Sequence, residues 1–298
     1  MAFSRGIQLM LMATFFFSSM NVFVKLLPHL PAVEIVFFRS LISLVITIGF
    51  LKSSRSNIWG NNKKILILRG ITGSIALILY FTTLQHIPLA SAVTIQFLAP
   101  IFTAILGLFI VKEKVLPWQW LFFLMSFGGV IVIQGFDPRI SMLYLALGIT
   151  ASLSSGLAHN FIRKMNTSEN PLVIVFYFPL VTLPVTGILC LFDWEMPRGN
   201  DWLILLTVGV LTQIAQILMT KAIQYEELSK IASLRYISII YALIYGFLFF
   251  DETFNLMTYV GMILTLTGVV LNFWYKHRVA LRQNMQATAE LENAESRK

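Results

Sequence analysis

Residues 230–275 read KIASLRYISIIYALIYGFLFFDETFNLMTYVGMILTLTGVVLNFWY, and this stretch decides the fold. It holds two apolar runs, 230–250 and 255–275. Each is about 20 residues long, the length that carries an α-helix across a hydrocarbon core about 30 Å thick. Transmembrane strands would instead alternate apolar and polar side chains over about ten residues. Working outward, eight more windows read the same way: 6–26, 32–51, 66–84, 91–111, 116–134, 143–163, 171–192 and 202–223. The longest connections, near 52–65 and 193–201, are too short to fold as a domain. The expected fold is an all-α integral membrane bundle of ten transmembrane helices.

Composition agrees. Of 298 residues, 57% are hydrophobic and 12% charged, where a soluble domain carries about 25% charged. Mean hydropathy is +0.78. The single cysteine, Cys190, excludes an internal disulfide framework and a Cys-based metal cage. The net charge of +8 is spread between apolar runs rather than gathered on a soluble face, so nucleic acid is not an expected partner. Arg5 precedes the first apolar run, but that run continues through Asn21 to Lys25 with no small-x-small cleavage pattern, which argues against a cleaved signal.

Lys and Arg set the orientation. With the N-terminus in the cytoplasm, only Lys25, Arg139 and Arg198 fall on the far side, while Arg39 and Arg235 lie inside helices. Both termini are therefore expected in the cytoplasm, with the protein in the inner (cytoplasmic) membrane. The tail 276–298 begins basic, at Lys276, Arg278 and Arg282, which suits anionic lipid headgroups, and is expected to be mobile beyond them.

The chain also matches itself at a shift of 139 residues, which pairs Asn21 with Asn160, Lys25 with Lys164, Gly107 with Gly246, Glu113 with Glu252 and Gly129 with Gly268. Two repeats of five helices are expected, 6–134 and 143–275. An odd count makes the second copy enter from the opposite face, so the repeats are inverted. Inverted repeats around a midplane site are an architecture of secondary transporters.

The stretch from Leu84 through Pro88, Ala92, Phe97 and Pro100 to Lys112, Glu113 and Lys114 resembles the end of an EamA repeat, in the drug/metabolite transporter superfamily. Val33 to Ser40, Leu68 to Gly70, and Gln216 to Ala222 resemble the G branch of the nucleotide-sugar-transporter-related solute carriers. The resemblance spans about 6–275. It implies a carrier with a central cavity lined by helices 1, 3, 4, 6, 8 and 9, with helix 2 peripheral. Asp251-Glu252-Thr253 departs from the pattern, in which a basic residue often precedes the Glu.

A charge at mid-bilayer costs at least about 2.5–3.5 kcal/mol, so each needs a partner or a task. Arg235 is expected about 7.5 Å into helix 9, at 1.5 Å per residue, with Ser238 and Tyr245 on nearly the same face. The repeat shift places Gln96 opposite it. A guanidinium suits carboxylate or phosphate; the other reading is an Arg that snorkels to the headgroups. Arg39 is either a substrate ligand or a structural ion held by Glu34 or a helix-end carbonyl. Helix 1 carries a polar stripe with Ser18 and Asn21, helix 6 carries Ser155, His159 and Asn160, and helix 8 carries Gln213 and Gln216. Tyr80, Phe97 and Tyr236 complete the candidate binding set. Small and polar residues also glue membrane helices without any substrate. His159 and Glu34 are candidate proton-coupling groups. No H-E-x-x-H, P-loop or G-x-S-x-G motif occurs, so neither an enzyme nor an ATP drive is expected, and no cofactor or metal.

The function expected is a secondary active or facilitative transporter of a small polar metabolite, an organic anion or zwitterion, by alternating access. Its partners are the small-molecule substrate, the lipid bilayer and a coupling ion, proton or sodium. Two alternatives stay open: an exporter of aromatic or amphipathic solutes, and a non-transporting membrane scaffold.

Overall fold

A computed structural model describes residues 5–54, 59–112, 115–165, 169–225 and 233–295. In chain order the helices are α1 (Arg5–Lys25), α2 (Ala32–Ser54), α3 (Lys63–His86), α4 (Leu89–Gln96), α5 (Ala99–Ile110), α6 (Pro117–Phe136), α7 (Met142–Met165), α8 (Pro171–Leu189), α9 (Asp201–Tyr225), α10 (Ile237–Phe250) and α11 (Leu256–Glu295), with a 3-10 turn at Ser233–Tyr236. Among the described residues, eight helical segments are long and apolar enough to cross a membrane, and two shorter apolar helices, Val173–Leu189 and Ile237–Phe250, bring the total to ten. Lipid offers no hydrogen bonds, so backbone polar groups must be satisfied within each crossing segment, as an α-helix does. All six tryptophans, at 59, 118, 120, 194, 202 and 274, are well exposed. They sit near the ends of the apolar helices, where amphipathic rings occupy the headgroup level.

Four local readings change. The fourth span is two helices rather than one. Pro100 offers no N–H and its ring excludes the carbonyl of residue 96, so α4 stops at Gln96, and Phe97 and Leu98 bond back only three residues, to Thr94 and Ile95. The third span starts at Lys63 rather than 66, capped by the Asn62 side chain, which moves Arg69 away from the helix end. Arg235 lies in the 3-10 turn ahead of α10 rather than within a regular helix. The tail is helical, since α11 runs on to Glu295.

Helix packing is reciprocal under the repeat shift. α1 packs on α9 and α3 on α7, while α2 meets α8 and α6 meets its own counterpart α11. At the last contact the Ser126 hydroxyl donates to the Thr265 carbonyl (3.2 Å) and the Thr265 hydroxyl donates to the Ser126 carbonyl (3.3 Å). These two residues are 139 apart, and self-reciprocal contact is what a two-fold axis produces. Lys112 and Asp251, also 139 apart, are the non-glycine residues with positive φ among the described residues, at 55° and 51°. Each turns the chain just past the end of its span.

Candidate functional site

One end of the bundle is closed. The Lys25 ammonium, at the end of α1, lies 2.9 Å from Glu252, just past α10, with both side chains buried. Lys25 also donates to the carbonyls of Leu84 and Ile87, and the second Glu252 oxygen accepts the Leu89 N–H at 2.8 Å. Glu252 reaches that position because Gly246 has no side chain: a Cβ there would sit 2.5 Å from its carboxylate. Gln85 ties the α1–α2 connection to α3 through the carbonyls of Leu27 (2.6 Å) and Leu30 (2.9 Å). Arg139 grips Asp137 through two bonds and reaches the Thr253 carbonyl at 2.8 Å. The largest fully buried side chains, including Leu27, Leu30, Leu84, Ile87, Leu89 and Leu98, pack around these groups.

Away from this end the interior opens. Arg235 lies a helix length from Asp251, about 20 Å at 1.5 Å per residue, and is solvent-accessible, as is His159 on α7. Both are nonetheless enclosed, since surrounding protein desolvates each of them, and His159 lies within electrostatic range of Arg235 and of Arg69. A lipid-facing arginine would lack the surrounding protein that desolvates Arg235.

Around this cavity, Asn21 and Tyr80 hydrogen-bond to each other, and the Gln96 amide donates to Ser155 at 2.9 Å. Tyr236 packs on Phe97 with ring centroids 5.0 Å apart. Tyr245 meets the Ser19 hydroxyl at 3.2 Å and stacks with Tyr241. Ser238 is half-buried one turn past Arg235.

Other candidate residues lie elsewhere. Asn160 is fully buried and donates to the carbonyls of Thr103 (2.9 Å) and Gly156 (3.0 Å), joining α7 to α5. Ser18 is buried on α1 with its hydroxyl unpartnered. Glu34 is buried near the closed end, accepting the Glu195 N–H at 3.1 Å; it forms no ion pair with Arg39. Arg39 itself is buried, not peripheral: its Nε donates to Thr212 at 3.1 Å, and with Gln213 and Gln216 it lines a small pocket between α2, α3, α8 and α9. That pocket also contains Arg69, which positive-inside counting places with the cytoplasmic charges. Its signal was present in the Leu68-Arg69-Gly70 segment. Glu113 and Lys114 lie outside the described residues.

Three guanidiniums, Arg39, Arg69 and Arg235, thus sit inside the bundle, and none is ion-paired to a carboxylate among the described residues, where Lys25 and Arg139 are. Ten apolar spans, a pseudo-two-fold, and a polar interior closed at one end define a membrane transporter of the inverted-repeat kind. The chain belongs to the EamA-like transporter family, whose model matches residues 4–135 and again 142–274. It is 29% identical over 268 residues to the pseudopaline exporter CntI of Pseudomonas aeruginosa (strain UCBPP-PA14), covering 89% of this chain and 94% of that protein. It is 29% identical over 293 residues to solute carrier family 35 member G1 of Mus musculus, covering 90% and 79%. A solved crystal structure, 15% identical, matches the fold with a TM-score of 0.63 over 93% of this chain and 99% of the other.

Proposed function

We propose that this protein is a secondary carrier that moves a small organic anion or zwitterion across the cytoplasmic membrane by alternating access, with both termini in the cytoplasm. The observation that carries this reading is Arg235: accessible from the cavity, enclosed by protein, and without a carboxylate partner among the described residues. A guanidinium in such a place presents several N–H donors suited to carboxylate or phosphate, and its insertion cost is offset when an anion binds. The Asn21–Tyr80 and Gln96–Ser155 pairs supply neutral polar contacts, and Phe97, Tyr236 and Tyr245 supply ring faces for the rest of the solute. The two repeats, 6–134 and 143–275, move against each other about the cavity, and the Lys25–Glu252 contact closes one face of it. With the N-terminus inside, that face is the external one, so the cavity belongs to an inward-facing state. The name of the Pseudomonas relative favours export as the direction. The coupling ion is a proton or sodium, with His159 at the cavity and Glu34 near the closed end as the titratable groups to vary.

The test is flux in liposomes containing the pure protein, with carboxylates, phosphates and amino acids as solutes. Wild type is expected to move an acidic or zwitterionic solute and Arg235→Ala to lose that flux while inserting normally. Unchanged kinetics in Arg235→Ala, or flux confined to aromatic cations, would overturn the assignment.

A further inference from the structure

The pocket between α2, α3, α8 and α9 is built from donors. Arg39 enters from α2 and Arg69 from α3, close enough to feel each other's charge. Phe178 of α8 lies beside both, with its ring centroid 4.3 Å from the Arg69 guanidinium and 5.8 Å from that of Arg39. A ring face attracts a cation but offers no oxygen to accept its N–H groups. Arg69 Nε and Nη1 are buried with no hydrogen-bond partner, and so are the hydroxyls of Ser40 and Ser43. Arg39 spends its Nε on Thr212, and Gln213 donates to Thr47 at 3.2 Å. Two like charges with buried orphan donors, and no nearby carboxylate among the described residues, are an unstable arrangement unless something negative arrives. The cavity measures about 40 Å³, room for about three water-sized atoms at roughly 10–15 Å³ each, which is the heavy-atom count of a carboxylate. Arg69 also lies within electrostatic range of His159, as Arg235 does.

We infer that this pocket is a second anion site, in which Arg39 and Arg69 together hold one oxyanion group, with Ser40 and Ser43 donating to it. It deepens the anion-carrier reading and rests on it for one point only, whether the oxyanion belongs to the transported solute or is a free anion. A planar carboxylate can take paired N–H bonds from a guanidinium, and neutralising both arginines removes the repulsion between them.

The experiment is thermal unfolding of the purified full chain in lipid nanodiscs, without transport. The probes are acetate, inorganic phosphate and succinate, each against sodium chloride at equal ionic strength. A saturable rise in Tm is expected for wild type, and its loss in Arg39→Gln and Arg69→Gln. If acetate or phosphate alone gives the rise and Arg235→Gln keeps it, a free anion occupies the pocket. If only succinate gives it, and both Arg69→Gln and Arg235→Gln lose it, the pocket holds the second acid group of a solute that bridges to Arg235. Should the arginine variants not fold, Ser43→Ala and Arg69→Lys serve, with a raised apparent Kd expected for each. A wild type that responds to none of the probes, or folded variants that keep its full response, would overturn the site. Loss of Arg235-dependent flux is read separately, so the carrier reading and this site fail independently.

Discussion

Glu252→Gln tests the closed end. The substitution keeps the shape of the side chain and leaves its amide oxygen able to accept the Leu89 N–H, but it removes the charge 2.9 Å from Lys25. Deleting one partner of a buried ion pair typically costs about 3–5 kcal/mol, because the remaining charge is left uncompensated. Lys25 keeps the carbonyls of Leu84 and Ile87 as acceptors, which brings the expected cost down to about 2 kcal/mol. That cost falls on the closed arrangement alone if opening separates Lys25 from Glu252. About 2 kcal/mol then raises the open fraction roughly 30-fold, at 1.36 kcal/mol per factor of ten. Ser91, fully buried on α4 two residues beyond Leu89, reports the opening. In a Cys190→Ser background, Ser91→Cys in detergent should react with a thiol reagent about 10- to 30-fold faster when Glu252→Gln is added. A rate within twofold of the parent, in protein with unchanged helicity, would refute the idea that this pair holds the end shut.

Gly246→Ala should act on the same contact from below, since its Cβ would stand 2.5 Å from the Glu252 carboxylate; a loss of about 2 kcal/mol is expected and is read by chemical unfolding. At the cavity, Arg235→Lys keeps a positive charge without the planar fork, so it should retain weak flux where Arg235→Ala retains none; equal flux in both would remove the guanidinium's role. Thr265→Val removes one of the two reciprocal hydroxyl contacts between α6 and α11, and should cost about 1 kcal/mol without changing solute affinity, checked by unfolding and binding in parallel. For orientation, Asn200→Cys in a Cys190→Ser background should label from outside intact cells, and protection there would reverse the proposed topology.

The apolar runs determined the class of fold without help from tertiary structure, because in lipid a solid run of about 20 apolar residues has one stable way to satisfy its backbone. The inverted repeat was legible too: an odd number of spans per copy, with Asn21/Asn160 and Glu113/Glu252 in register, leaves little choice. Arg235, His159, Tyr80 and Gln96 could be singled out because a polar group in a membrane span must have a reason. Tertiary structure alone decided which of them meet. Asn160, whose stripe resembles that of Asn21, is buried against α5 and joins two helices, while Asn21 bonds Tyr80: the two copies share their helix neighbours but not the side chains met there. Lys25 and Glu252 were visible as repeat mates of other residues, and only packing made them each other's partner. Arg69 was hidden by its position: near the start of the 66–84 run it was counted with the cytoplasmic charges, and a helix beginning at Lys63 carries it into the bundle beside Arg39. Sequence periodicity fixes which face of one helix is polar. What that face touches depends on where several other helices lie, and that is settled by contacts between residues far apart in the chain.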